Sequence, residues 1–142
     1  MNLTEHFTLE ELTKSSIADK YKINNMPNAT MIKEGRRLCN DILEPIRQRY
    51  GKPIIVTSGY RCPLLNKRVG GAKNSDHRYA SAADLKAKDG NNKELWDIII
   101  QMIKEEKLSC RQLINEYNLS WIHISQNNRY NGYRKNQIIY TV

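Results

Sequence analysis

His77 and Asp84 stand seven residues apart in Ser75-Asp76-His77-Arg78-Tyr79-Ala80-Ser81-Ala82-Ala83-Asp84, and a second histidine, His123, sits in Trp121-Ile122-His123-Ile124-Ser125. Neutral imidazole nitrogens and a carboxylate oxygen are good zinc ligands. Two histidines and one carboxylate leave the fourth position of a tetrahedral ion open, which is the layout of catalytic rather than structural zinc. Zinc in such a position lowers the pKa of a water from about 15.7 toward 7 and polarises a carbonyl. On spacing alone, a chance trio in ordinary packing is the commoner explanation, so the zinc reading depends on the elements that would bring the three together.

Ala82–Ala87 reads as a strand carrying Asp84, with His77 reaching over from the loop before it. Small residues at 80–83 let the backbone pack closely between the two. In Trp121–Ser125, strand alternation puts Trp121, His123 and Ser125 on one face and Ile122 and Ile124 on the other, toward the core. Gln112–Tyr117 and Gln137–Thr141 read as two further strands, with Asn131-Gly132 as a turn signal before the last. Pro53–Ser58 is a short β-branched run bounded by turn residues, which predicts a buried strand.

Helices dominate the first part of the chain. Thr8 and Glu11 form a capping box ahead of a short helix. A longer helix is expected from about Ala29 to Tyr50, with Met31, Leu38, Ile42 and Ile46 on one face, a disturbance at Pro45 and a stop at Gly51. Gly59–Asp76 is loop-like. Asn91, with Glu94 three residues on, caps a helix that buries Leu95, Ile99, Met102 and Ile103 and runs to about Glu106. Helices first and strands mostly later predict an α+β fold, with helices packed on a small, mainly antiparallel sheet.

The chain of 142 residues is long enough for one core, and a single domain over 1–142 is expected. No apolar run reaches the roughly 18–20 residues of a membrane span, and no signal peptide is visible at the N-terminus. The net charge of +8 attracts polyanions in general, nucleic acid or an acidic wall polymer. The basic residues are scattered without an aromatic–basic repeat, so nucleic acid is not an expected partner. Cys39, Cys62 and Cys110 are odd in number with no Cys-x-x-Cys pair, which predicts free thiols with a packing role in a chain made in a reducing compartment. His6 lies outside every motif and receives no role.

Ser58-Gly59-Tyr60-Arg61, Asn66, Gly70-Gly71-Ala72, Ser75-x-His77 through Ala82-Ala83-Asp84, and Trp121-Ile122-His123-Ile124-Ser125 occur in that order. Together, from about Phe7 to the C-terminus, they resemble the zinc D-alanyl-D-alanine carboxypeptidases and related peptidoglycan endopeptidases, which include phage endolysins. The resemblance implies the α+β Hedgehog/DD-peptidase fold and one zinc ion held by His77, Asp84 and His123. It implies an arginine at Arg61 that holds substrate or steadies an oxyanion, work that suits a fixed charge on a planar fork of donors. Tyr60, Ser75 and Trp121 are expected beside it as substrate contacts. The implied substrate is the peptide stem of peptidoglycan, cut at an amide bond by a monomer that reaches the wall after lysis, through a holin-type pore or by non-classical export.

Two positions depart from the family pattern. Ala80 stands where the family usually has Gly, three residues after the first ligand. Ser120 stands where several members place Asp or Glu, three residues before the last ligand. If 112–116 and 121–125 pair as a hairpin with a four-residue loop, Glu116 opposes Trp121 and Ile114 opposes His123. Glu116 is then a diagonal neighbour of His123 at about 7–8 Å and is the expected general base. The Ser120 departure also motivates an alternative, a non-catalytic module of the same fold that binds wall peptide or a protein partner.

Overall fold

The computed structural model describes residues 1–142. α1 (Leu9–Thr13) opens at Thr8, whose hydroxyl accepts from the Glu11 N–H at 3.2 Å, and α2 (Ser16–Lys20) opens at Ser15 in the same way. After the break at 24–28, Asn28 caps α3 (Ala29–Leu38). The single helix expected to Tyr50 is divided: a π-helical turn at Cys39–Leu43 separates α3 from α4 (Glu44–Tyr50). Pro45 explains this, because its ring has no N–H and crowds the carbonyl four residues back. One wide turn, in which the Glu44 N–H bonds to the Cys39 carbonyl, absorbs the misfit and keeps the axis running. Met31, Leu38, Ile42 and Ile46 all remain buried, and Gly51 ends α4 at φ 75°.

β1 (Ile54–Ser58) follows. The expected loop at 59–76 contains a short helix, α5 (Pro63–Arg68), with Pro63 at its first position and the Cys62 Sγ accepting from the Leu65 N–H. A 3₁₀ turn at Asp76–Tyr79 leads into β2 (Ala82–Ala87). α6 (Asn92–Lys104) is capped by Asn91 and buries Leu95, Ile99 and Met102, with Ile103 partly covered. β3 (Gln112–Glu116), β4 (Trp121–Ser125) and β5 (Gln137–Tyr140) complete a five-stranded sheet in the order β1-β2-β4-β3-β5.

The sheet is mixed rather than antiparallel throughout. β1–β2, β2–β4 and β4–β3 are antiparallel, whereas β5 runs parallel to β3. After β4 the chain crosses back over 126–136, and Asn136 exchanges two hydrogen bonds with Cys110 that start β5 beside β3 in the same direction. One face of the sheet, carrying Leu85, Leu113, Ile122 and Ile124, packs fully buried against Leu38, Ile42, Ile46, Leu95 and Ile99. Each such side chain contributes about 1.5–3 kcal/mol. The other face carries Asp84 and His123. Ser125, placed by alternation on that open face, is buried: it pairs with Ala82 where the Gln126 N–H bonds to the Ser81 carbonyl and closes the end of the ladder.

Candidate active site

Asp84 and His123 are direct partners in the β2–β4 ladder, so both side chains rise from the same face of the sheet. Nδ1 of His123 lies 3.0 Å from Oδ1 of Asp84. His77 enters from the 3₁₀ turn before β2, and its Nε2 lies 3.4 Å from the same carboxylate oxygen. The rings of His77 and His123 meet edge-on, with centroids 5.1 Å apart. Ligand atoms of the three residues all lie within 4.8 Å of one another.

His77 is buried, and its Nδ1 is 2.6 Å from the Gly59 carbonyl. A carbonyl can only accept, so Nδ1 carries the proton and Nε2 presents its lone pair to the cluster. Burial pulls the imidazole below its ordinary pKa, against the opposing pull of Asp84, and so favours the neutral form that binds metal. Burial alone would raise the Asp84 carboxyl. The His123 ring, whose Nδ1 lies 3.0 Å from the carboxylate, is the main influence that outweighs it and holds the group well below the carboxylate range. Zinc bonds of about 2.0–2.1 Å in a tetrahedron require donors about 3.4 Å apart. The Asp84–His123 and Asp84–His77 spacings of 3.0 and 3.4 Å are close to that value, and the third donor pair lies within 4.8 Å.

The turn that carries His77 takes its shape from its neighbours. The Ser75 hydroxyl accepts from the His77 N–H at 3.2 Å and from Arg61 Nη2 at 3.4 Å. Ala80 ends the turn at φ 53°, a left-handed conformation that glycine adopts without strain. That is the physical sense of a glycine at this position. Here a buried methyl occupies it and packs with Met31 and Tyr60.

The three residues lie in a cleft of about 620 Å³, whose lining includes Arg61, Ser75, Glu116 and Trp121. The Arg61 main-chain N–H bonds to the His77 carbonyl, and its buried Nε has no protein partner. Burial lowers its pKa and Asp84 opposes this. Tyr60, expected as a substrate contact, does not line the cleft. It is buried against Met31 and Ala80, with its N–H on the Leu12 carbonyl at 2.6 Å.

The hairpin has the expected register, with Glu116 opposite Trp121 and Ile114 opposite His123. Glu116 lines the cleft, and the Trp121 ring rests against Tyr117 with centroids 5.4 Å apart. The Ser120 hydroxyl is turned back on the Tyr117 carbonyl at 2.7 Å, and Ser120 is not among the cleft residues.

Sequence reasoning missed Asp76. Its buried carboxylate accepts from Arg111 at 2.9 Å, Asn128 at 2.9 Å and Asn131 at 2.6 Å. These bonds tie the β4–β5 connection to the turn bearing His77, and Tyr79 stacks on Tyr130 beside them with centroids 4.1 Å apart. The partners come from distant segments, so no local motif marks them. His6, given no role, joins Glu5 and Glu44 in a second group of possible ligands. Its Nδ1 is 2.7 Å from Glu44, whose other oxygen accepts the His6 N–H, and Gln48 donates to both glutamates. These bonds fasten the N-terminal segment to α4, and none of the three residues lines the cleft.

The family model described as peptidase M15 matches residues 5–125. The zinc D-Ala-D-Ala carboxypeptidase of Streptomyces albus G is 50% identical over 46 residues, which is 32% of this chain and 18% of that relative. The chain thus spans only a small part of that relative's length. By the extent of the family match, the chain belongs to the peptidase M15 family of zinc DD-peptidases. Family and relative imply one zinc ion, and the His77–Asp84–His123 cluster is the site in this chain that suits it.

Proposed function

We propose that this member of the M15 family is a zinc-dependent peptidase that hydrolyses an amide bond in the peptide stem of peptidoglycan. The observation that carries the reading is the convergence of His77, Asp84 and His123 in a cleft that Arg61 and Glu116 also line. When bound there, zinc supplies a Lewis acid for the scissile carbonyl and acidifies a water. The protein does the rest. Glu116 takes the proton from the attacking water and returns it to the departing amine. Arg61, which lines the cleft with its Nη2 held by Ser75, donates to the oxygen on which charge develops or to a substrate carboxylate. Trp121 and Tyr117 form the cleft wall next to Glu116. Ser75 serves by holding Arg61 and His77 in place.

The Hedgehog/DD-peptidase fold suits this mixed α+β architecture and belongs to the same proposal. We place the action at the cell wall, on a monomer, reached after lysis or through a pore as in a phage or prophage endolysin. The positive net charge favours approach to anionic wall polymers. Ser120, whose departure from the family pattern favours a non-catalytic binding module, has its hydroxyl engaged in the β3–β4 turn, while Glu116 supplies a carboxylate in the cleft.

The test is release of new amino groups from purified peptidoglycan, abolished by a chelator and restored by zinc. Fragment masses assign the bond. Binding to wall fragments without release, at full zinc occupancy, would replace the peptidase with the binding module.

A further inference from the structure

We propose that Thr141 is the positioning residue for Glu116: its hydroxyl holds one carboxylate oxygen and so fixes the direction of the base in the cleft. The inference rests on the reading of Glu116 as the base. Thr141 lies beyond the segment that matches the family model, which ends at residue 125.

The geometry begins with the β3–β4 turn. Tyr117, Asn118 and Leu119 are all left-handed, at φ 48°, 56° and 60°, and none is glycine. L-residues adopt this conformation at a steric cost, so surrounding bonds must hold it. The Asn115 side chain accepts from the Leu119 N–H at 2.7 Å, Ser120 donates to the Tyr117 carbonyl at 2.7 Å, and Asn92 donates to the Leu119 carbonyl at 2.9 Å. In this turn the Tyr117 N–H points to the end of the C-terminal segment and donates to Thr141 Oγ1 at 3.1 Å.

That bond uses the hydroxyl as an acceptor, which leaves its single proton to place. Two acceptors are in reach: the Asn115 carbonyl at 3.4 Å and Glu116 Oε2 at 3.3 Å. The carbonyl already receives the Thr141 main-chain N–H at 2.9 Å, whereas Glu116 Oε2 has no other protein donor. Charged acceptors also make the stronger bond. The proton therefore goes to Oε2, and Oε1 keeps no protein partner and is the oxygen available to a water. β5 carries this hydroxyl to the site because Tyr140 pairs with Asn115, one residue before Glu116.

The experiment uses the full chain loaded with zinc, with Thr141→Val and Thr141→Ser compared at matched zinc content and melting temperature. Thr141→Val is expected to lower kcat about ten-fold at unchanged KM, the factor carried by one hydrogen bond to a charged group, and Thr141→Ser to restore it. Independently of turnover, the Tyr117 amide of the metal-free protein exchanges slowly in the wild type and Thr141→Ser and fast in Thr141→Val. A wild-type kcat for Thr141→Val alongside an inactive Glu116→Gln overturns the role of Thr141 and leaves the base in place. A loss of kcat that Thr141→Ser shares in full also overturns it, because strand pairing and not the hydroxyl is then responsible. Wild-type turnover by Glu116→Gln overturns the reading of the base itself.

Discussion

Oδ1 of Asp84 lies 3.0 Å from Nδ1 of His123 because the two residues are directly opposed in the β2–β4 ladder. A sheet register thus sets the spacing of two candidate metal donors, and His77 is the only one of the three delivered by a turn. Asp84→Ala should therefore lose zinc while keeping the fold, since the carboxylate makes no contribution to the buried face. Loss of an outer partner of a metal ligand costs about 10–100-fold in affinity, and loss of the ligand itself costs more. Metal analysis should show one zinc per chain falling to background. Added zinc should raise the melting temperature of the wild type and leave the variant unchanged.

Glu116→Gln removes the proposed proton acceptor and keeps the shape. It should retain full zinc and a wild-type melting temperature while kcat falls by about 10²–10⁴-fold. Steady-state release of amino groups from peptidoglycan, with zinc content measured on the same sample, checks this.

Asp76→Ala should damage stability. The carboxylate neutralises Arg111, and both side chains are largely buried, at 4% and 11% exposure. Breaking such a pair leaves an uncompensated charge and costs about 3–5 kcal/mol. Two asparagine amides lose their acceptor as well. A shift in the urea midpoint at unchanged slope measures the loss. A change within about 0.5 kcal/mol, typical of a surface position, would deny the network its role.

Part of the acid sensitivity should map to the contact between the N-terminal segment and α4. Burial alone would raise the Glu44 carboxyl, but hydrogen bonds from the His6 side chain and main chain outweigh it and lower the pKa from 4.5 to about 2. A group depressed on folding stabilises the protein above its unfolded pKa, and that stability fades as the pH falls through 4.5 toward about 2. The contribution is up to about 3 kcal/mol. Glu44→Gln should be less stable than the wild type at neutral pH, and the gap should close as the pH approaches 2. Chemical denaturation at a series of pH values reads both.

The three cysteines should separate in reactivity. Burial pushes the thiols of Cys39 and Cys110 up to about 12, so they stay protonated and covered at pH 8. Cys62 is partly exposed at the start of α5. Iodoacetamide should modify one thiol in the native protein and three in denaturant, as counted by intact mass.

The parts of the site that obey local rules were legible in the sequence. Alternation placed His123 opposite the buried Ile122 and Ile124, and a four-residue turn fixed the hairpin register that puts Glu116 opposite Trp121. Caps at Thr8 and Asn91 marked helix starts correctly. What escaped depended on long-range partners. The parallel placement of β5 rests on Asn136 and Cys110, far apart along the chain, and Asp76 gives no local sign that Arg111, Asn128 and Asn131 converge on it. Pro45 was visible, but its effect was not: a kink, an early end and one wide turn all relieve the same clash. Tyr60 shows a similar limit, because adjacency to Arg61 does not say which of the two side chains turns inward.

Gly59 sits so tightly on the main chain of α1 that an added Cβ would lie 2.8 Å from the Leu12 Cα, and its carbonyl accepts the hydrogen bond from His77 Nδ1–H. The first helix is therefore a backstop for an imidazole more than sixty residues downstream. Versions of the domain trimmed past that helix would keep every donor atom yet lose the wedge that holds the ring square to its neighbours. The amino-terminal segment is, in effect, a remote part of the ion's seat.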